Sequence, residues 1–599
     1  MRNQKALPLT VLLLLTFATG RAAAVNFLFD GAQTAYAIII PDDASASERT
    51  AAKELRKYIR QISGAQMVVE QATAHRCSGS DAAHGAQARC GGKHIYVGWN
   101  KGCGLEIPDS DDEAFTYRTV GDDLHIVGGS ERGTMYGVYT FLERELGVRW
   151  YTSTFTKVPR LEHYALPRLD HSERPALRQR LDFCYDALRN PAWMAHNRMN
   201  TMHTKVSNNY GTFTATWGAH TFQKLIPPAQ YFDEHPEYFS LVRGRRSDKA
   251  QLCLSNDDMR RELTANLLLA IEDNPGYWCY DVSQNDNDLN CECHQCKALV
   301  EHYGGQAGAL LWFVNQVAAD VERGFPEARI STFAYRTTRH APRLGRITPA
   351  DNVVIRLCDI ECCMAHPIGQ CTQNNSFSDD LEAWRRLTPN LYIWDYANSF
   401  YHYLMPFPNF RAMAANLRLH ATGGATGVMM EGAHDAPWSE FSELKQWLTA
   451  RLLWDPWQDT DSLAAMFIAD YYGSAAPSVL LFYDRCQRLA DDSRHLTLMT
   501  QPDDTFYGGA FLDDGLRLTS QAVADADDGT QRQRARRLLA LMLYMKLRRQ
   551  QQEATTDGTL RKLCDIIAAD STILRENKYT LQRVLHDMGI DHPAANTKP

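Results

Sequence analysis

The sequence predicts an α/β protein in three parts: a small α/β domain, a (β/α)8 TIM barrel and an all-α C-terminal domain. Three observations carry this expectation. Short apolar runs alternate with helical stretches between residues 175 and 455, close to the ~250 residues that such a barrel needs. A mixed strand-and-helix pattern precedes them over residues 25–170. Beyond Trp454-Asp-Pro-Trp457 the apolar positions recur only at i, i+3 and i+4, which is helical spacing. The expected boundaries are therefore 1–24 for a signal peptide, 25–170, 175–455 and 456–599. An open doubly wound sheet is the alternative arrangement of the central elements.

In chain order, residues 35–41 read as a strand and 45–63 as an amphipathic helix that Ser45 or Ser47 can cap. Short apolar strands follow at 67–69 and 94–98, separated by a polar loop holding Cys77 and Cys90. Residues 115–120 and 123–127 flank Gly121-Asp122 and read as a hairpin. A helix over 131–146 ends at Gly147. No Gly-rich phosphate loop occurs, which speaks against a nucleotide site. The barrel strands are expected at 180–185, 200–206, near 238–254, and at 277–283, 329–335, 352–358, 391–395 and 427–430. Helices are expected between them at 258–272, 308–323 and 410–420, and after the barrel at 462–472, 476–494, 531–553 and 558–575.

Composition narrows the function. The 599 residues are 44% hydrophobic and 22% charged, an ordinary globular balance rather than a disordered or fibrous one. A net charge of −8 without a Lys/Arg block argues against nucleic acid as a partner. Twelve Trp, 26 Tyr and 23 Phe suit a large core or a site that stacks on sugars. The start, Met1-Arg-Asn-Gln-Lys5, a short apolar run and Gly20-Arg-Ala-Ala-Ala24 have the layout of a secretory signal peptide. An exported protein beginning near Val25 is expected, in the periplasm, at the cell surface or outside the cell. No later run of 18 apolar residues predicts a transmembrane segment, and no heptad pattern sets an oligomeric state.

Nine of the fifteen cysteines fall between Cys253 and Cys371. The tightest group is Cys291-Glu-Cys293-His-Gln-Cys296. Thiolates so spaced can converge on a structural zinc, joined by Cys253, Cys279 or His294, or pair as disulfides that pin a long loop. Apart from such a structural zinc, no cofactor is required.

Barrel enzymes carry their chemistry at the C-terminal ends of the strands. Four predicted ends hold carboxylates: Asp286 after Asn285, Asp359 with Glu361, Asp395 between Trp394 and Tyr396, and Glu431. Asp359 and Glu361 are two apart, so in extended chain they point the same way, roughly 7 Å apart. Carboxyls sharing a pocket split their pKa values, giving the acid and the anion that glycosidic cleavage needs. Ion pairing with Arg356 or a lysine is the structural alternative. Trp394, Tyr396, Trp438, Trp278 and Tyr401 lie near the same rim, with His366, His402 and His434 beside them. No G-x-S-x-G elbow or H-E-x-x-H helix occurs, which leaves a carboxylate hydrolase.

The stretches VSQNDNDLNCECHQC, RLCDIECCMAHP, LYIWDYANSF and GVMMEG, followed by RLLWDPW, resemble the barrel of glycoside hydrolase family 163, the endo-β-N-acetylglucosaminidases of complex N-glycans. RGTMYGVYTFLERELGVRWY is similar to the domain that precedes the barrel in family 67 α-glucuronidases and family 20 hexosaminidases. The resemblance implies a secreted glycosidase acting on an oligosaccharide or glycoprotein glycan. Its mechanism would be retaining and substrate-assisted, with Glu361 as acid and Asp359 orienting the 2-acetamido group. A family 67-like alignment instead makes Asp286 the acid, with Glu361 and Asp395 as bases. Asn285, Trp394, Asp395, Tyr396, Glu431, His366 and Trp438 would bind substrate. An exo-acting hexosaminidase or glucuronidase, and a non-catalytic glycan-binding protein on a degenerate barrel, are the alternatives.

Overall fold

The computed structural model describes residues 25–72, 93–98, 105, 113–200, 208–211, 214–490, 494–508, 510–570, 575–576 and 579–590. The expected signal peptide and the loop with Cys77 and Cys90 lie outside the described residues.

In the N-terminal part, strands Tyr36–Ile40, Val69–Gln71, Lys93–Val97, Phe115–Val120, Asp123–Gly128 and Asp170–Glu173 form one mixed sheet. The helix Ala46–Ser63 begins at Ser45, whose hydroxyl accepts from the Glu48 N–H while Glu48 reaches back to the Ser45 N–H. That reciprocal box satisfies two otherwise orphaned donors. Ser47, the alternative cap, is buried in the first turn. The helix stops at Gly64, whose φ of 88° is cheap only for glycine. With Ser130–Arg144 it buries Leu55, Ile59, Tyr136 and Phe141 against the sheet in a core that also takes in Trp454.

The central sheet is parallel. Its strands are β1 (Gln179–Phe183), β2 (Thr214–Trp217), β3 (Tyr277–Asp281), β4 (Arg329–Ala334), β5 (Val353–Cys358), β6 (Leu391–Tyr396) and β7 (Gly427–Glu431). The spatial order is β1-β7-β6-β5-β4-β3-β2, the curled half-barrel that strand-helix alternation demands. Helices Asp257–Asp273, Gln306–Gly324, Asn375–Leu387 and Phe410–Thr422 link successive strands from β2 to β7, except that a 3₁₀ turn at Arg336–Thr338 serves between β4 and β5.

Two strand expectations change. The strand expected near 238–254 is absent; those residues form a 3₁₀ turn at Pro236–Tyr238 and a two-rung hairpin, Leu241–Val242 with Arg245–Arg246. Arg243 and Gly244 both take positive φ there, so the chain reverses instead of extending. The real strand at that place in the sheet is β2, four residues that were too short to stand out. The strand expected at 200–206 lies outside the described residues apart from Asn200. Asn200 sits beside β1, its N–H donating to the Arg180 carbonyl at 2.8 Å and its Oδ1 accepting from the Arg180 N–H at 2.6 Å.

The C-terminal helices Thr460–Tyr472, Ala476–Ala490, Phe511–Asp525, Gly529–Arg549, Gln551–Thr556 and Thr559–Ala569 pack onto the central half-barrel through one continuous apolar cluster. Phe410 meets Tyr483 edge-on at 5.1 Å and Phe441 stacks on Phe482. A short pairing of Arg575–Glu576 with Tyr579–Thr580 interrupts the helical pattern. Among the described residues, no helix is long and apolar enough to cross a membrane.

Candidate active site

Residues alternate faces along a strand, and the pairing β5–β6–β7 places Cys358 beside Trp394 and Tyr396 beside Glu431. Arg356, Trp394 and Glu431 therefore share the inner face. The Trp394 indole N–H donates to Glu431 Oε2 at 2.6 Å. The Arg356 guanidinium lies 4.7 Å over both the Phe333 and Trp394 rings and 3.2 Å from Asp281. Glu431 is the last residue of β7, and its side chain is only 12% exposed. Gly432 follows because the chain runs against Cys184 there: a Cβ would come 2.4 Å from the Cys184 sulfur.

Burial pushes the Glu431 carboxyl up to about 7, assisted by Asp435 and Asp286 and opposed by the Trp394 hydrogen bond and Arg356. His434 approaches Glu431 at 3.5 Å and Asp435 at 3.4 Å, with its ring 4.8 Å from Phe183. Across the mouth, Asp286 is 62% exposed and accepts from the Tyr335 hydroxyl at 2.9 Å. Its other neighbour is Arg336, at 3.9 Å. His220, after β2, packs edge-on to Phe333 at 4.9 Å. Both His220 and Arg336 hold φ near +50°, a strained backbone that concentrates at functional sites.

The expected Asp359–Glu361 pocket does not form. β5 ends at Cys358, and Asp359–Cys362 is a turn closed by the Cys362 N–H on the Asp359 carbonyl at 2.8 Å; the two-residue period of a strand no longer applies. Glu361 turns outward, 49% exposed, onto Arg339, which also holds Asp380 at 2.8 Å. Asp359 is fully buried beside Asp395, on the face of the sheet opposite Trp394 and Glu431. Burial and the neighbouring carboxyl push Asp359 well above the usual carboxylate range, and burial raises Asp395 to about 6.

Other expected binding residues are placed elsewhere. Asn285 is buried and occupied, its amide donating to the Ala250 carbonyl and its Oδ1 accepting from the Gln223 N–H. Trp438 is buried with its N–H on Glu443. Tyr396 is buried against Phe400. Trp278 lies near the start of β3, far along the strand from its C-terminal end. His366 stands 3.3 Å from the Cys363 sulfur and its ring faces His495. Tyr335, Arg336, His220 and the buried Arg356–Asp281 pair were not singled out for the mouth, although strained non-glycine residues at strand ends cannot be seen in a sequence.

Cys291, Cys293 and Cys296 converge with Cys253. The Cys253 sulfur lies 3.6 Å from Cys291 and 3.8 Å from both Cys293 and Cys296, far beyond the ~2.05 Å of a disulfide. No disulfide forms among the described cysteines. Cys279 lies within β3 beside Thr216. A small cleft adjoins the thiol group, lined by Phe222, Leu252, Gln284, Cys291, Cys296 and Thr338 among others. No carboxylate is among the residues that line it.

The sequence profile of the family described as "Domain of unknown function (DUF4838)" matches residues 150–484. The chain belongs to that family. Among curated proteins none matches the sequence significantly. In fold, the chain is similar to a family GH115 4-O-methyl-α-glucuronidase with specificity for decorated arabinogalactans: 12% identity, TM-score 0.59, over 95% of this chain and 81% of that one. Two looser likenesses are to a GH138 enzyme targeting pectin rhamnogalacturonan II (12% identity, TM-score 0.40, 92% and 76%) and to the protein CpGH84D (10% identity, TM-score 0.45, 91% of each).

Proposed function

We propose that the protein is a glycoside hydrolase with Glu431 as its general acid. One observation carries this: a nearly buried carboxyl, pushed up to about 7, sits at a strand end across a mouth from the exposed carboxylate Asp286. An acid that keeps its proton near neutrality can deliver it to a leaving glycosidic oxygen. A second, solvated carboxylate can stabilise the positive sugar or activate water. Trp394 and Phe183 provide apolar faces beside it. This reading takes the seven-stranded sheet as belonging to a (β/α)8 barrel and the protein as exported.

The finer proposal is a retaining, substrate-assisted endo-β-N-acetylglucosaminidase on complex N-glycans, resting on the four stretches that resemble family 163. A uronidase is the second reading, favoured by Arg336 at the mouth and by the GH115 likeness. We further propose that Cys253, Cys291, Cys293 and Cys296 hold a structural zinc. The separations from the Cys253 sulfur, 3.6 to 3.8 Å, match the ~3.8 Å edge of a tetrahedron with ~2.3 Å Zn–S bonds, and all four sulfurs lie within 4.8 Å of one another. The Leu241 and Cys296 N–H groups already donate to Cys291 and Cys293 sulfurs at 3.3 and 3.4 Å.

The test is mass spectrometry of a complex N-glycoprotein, and of glucuronide-decorated arabinogalactan, after incubation with the chain. Wild type is compared with Glu431→Gln and Glu361→Gln. Glycans cut between the two core N-acetylglucosamines, lost in Glu431→Gln, would support the finer proposal; released glucuronic acid would favour the second. Activity abolished by Glu361→Gln but kept by Glu431→Gln would overturn the assignment of the acid. No hydrolysis of any glycan would leave a binding protein.

A further inference from the structure

We propose that Cys363, His366, Cys371 and His495 form a second metal site, for one zinc ion, which straps the loop after β5 to the segment leading out of the C-terminal helix Ala476–Ala490. The ligand atoms of all four lie within 4.8 Å of one another. Cys363 Sγ is 3.3 Å from His366 Nδ1, and Cys371 Sγ is 3.6 Å from His495 Nδ1. In a tetrahedron with Zn–S of ~2.3 Å and Zn–N of ~2.0–2.1 Å, the sulfur-to-nitrogen edge is about 3.5 Å. The two observed contacts, 3.3 and 3.6 Å, bracket that edge.

The donor set narrows the metal. Two thiolates and two imidazoles in a closed tetrahedral arrangement select zinc over hard cations, which prefer oxygen. Two thiolates also neutralise the dication, so a shielded site need not carry net charge. Cys363 is 1% and Cys371 5% exposed, which leaves neither thiol open to a substrate and argues against a Cys–His nucleophile. The backbone is already built around the ligands. Asn374, fully buried, accepts from the Cys363 N–H at 2.7 Å and donates to the Cys363 carbonyl at 3.0 Å. The Met364 N–H donates to the Leu496 carbonyl at 2.7 Å, joining the two segments that the ion would bridge. Outer contacts of this kind hold first-layer ligands in place.

This site is independent of the four-cysteine group and of the proposed activity. The test measures zinc per chain by plasma mass spectrometry in the purified full chain, its Cys371→Ser/His495→Ala variant and a Cys293→Ser/Cys296→Ser variant. Loss of one equivalent in the first variant is expected whether or not the four-cysteine site is loaded. Unchanged zinc in that variant, or a Cys363–Cys371 disulfide in the non-reduced wild type, would overturn the proposal. Should the variant fail to fold, crystals of the wild-type chain decide by anomalous scattering at the zinc edge. A peak among the four side chains is expected, and its absence would overturn the site.

Discussion

Replacing Glu431 with glutamine should remove the activity and stabilise the protein, and the stabilisation should depend on pH. A glutamate has an ordinary value of 4.5, and burial lifts Glu431 to about 7. Below 4.5 the carboxyl is protonated in both folded and unfolded chains, so it makes no pH-dependent contribution. Between 4.5 and 7 the unfolded chain releases the proton while the folded one keeps it, so stability falls as pH rises. Above 7 both forms are ionised and the penalty is constant. At about 1.36 kcal/mol per pH unit, it amounts to about 3 kcal/mol. Glutamine keeps the shape and accepts the Trp394 N–H but cannot ionise. Urea melts of both proteins from pH 4.5 to 8.5 should show the variant gaining over the wild type by about 3 kcal/mol across that window. In the same window wild-type kcat/KM should fall as pH rises through about 7, because the acid loses its proton. A stability difference that stays flat with pH would refute the claim that Glu431 is held protonated, and the acid assignment would fall with it.

Trp394→Phe keeps an aromatic face but deletes the donor that favours ionised Glu431; at ~1.5 kcal/mol for a hydrogen bond to a charged group, the alkaline limb of kcat/KM should move up by about one pH unit, and a downward move would contradict the geometry. Arg356→Met leaves Asp281 buried and uncompensated, and urea melts should register a loss of about 3–5 kcal/mol. Glu361→Gln breaks only a half-exposed pair with Arg339; stability should change by less than ~1 kcal/mol and most of the activity should survive in the glycan-release assay. In the Cys371→Ser/His495→Ala variant, which lacks the other proposed zinc site, stripping zinc from Cys253, Cys291, Cys293 and Cys296 with a chelator should lower the melting temperature and be reversed by added zinc, while a melting curve indifferent to both would dismiss the structural ion.

Much of the parallel central sheet was legible because buried parallel strands read as continuous apolar runs. VVIRLC, LYIWDY and GVMME declare themselves in this way, and the interleaved helices carry their own period. Thr214–Trp217 did not, being four residues with no flanking pattern, whereas the hairpin residues Leu241–Val242 mimicked a strand until the positive φ of Arg243 and Gly244 reversed the chain. The strand-end rule brought Asp286, Trp394, Asp395 and Glu431 into view together. It could not rank them, since rank depends on which side of the sheet each faces and where each strand stops. For Asp359 and Glu361 the two-residue period does not hold, because the strand stops at Cys358, immediately before Asp359. The Cys291–Cys296 spacing announced a thiol cluster, but Cys253, roughly 40 positions earlier, completes it. His495 stands 124 positions from Cys371, a separation over which no local spacing conveys contact.

The state of Glu431 is set by a balance in which no single neighbour decides. Burial raises its carboxyl, and the indole N–H of Trp394 and the guanidinium of Arg356 lower it. Were Arg356 free to turn fully toward Glu431, the carboxyl would ionise and the acid would be lost. Asp281 prevents that: fully buried on β3, it holds Arg356 at 3.2 Å, while the Phe333 and Trp394 rings, in edge contact with each other, both lie 4.7 Å from the guanidinium. The inner ion pair thus spends most of its charge on itself. Asp281→Asn should release part of that charge toward Glu431, so its expected signature is a lowered alkaline limb of kcat/KM, opposite in direction to Trp394→Phe. If both variants moved the limb the same way, the inner arginine would not be the counterweight that the distances describe.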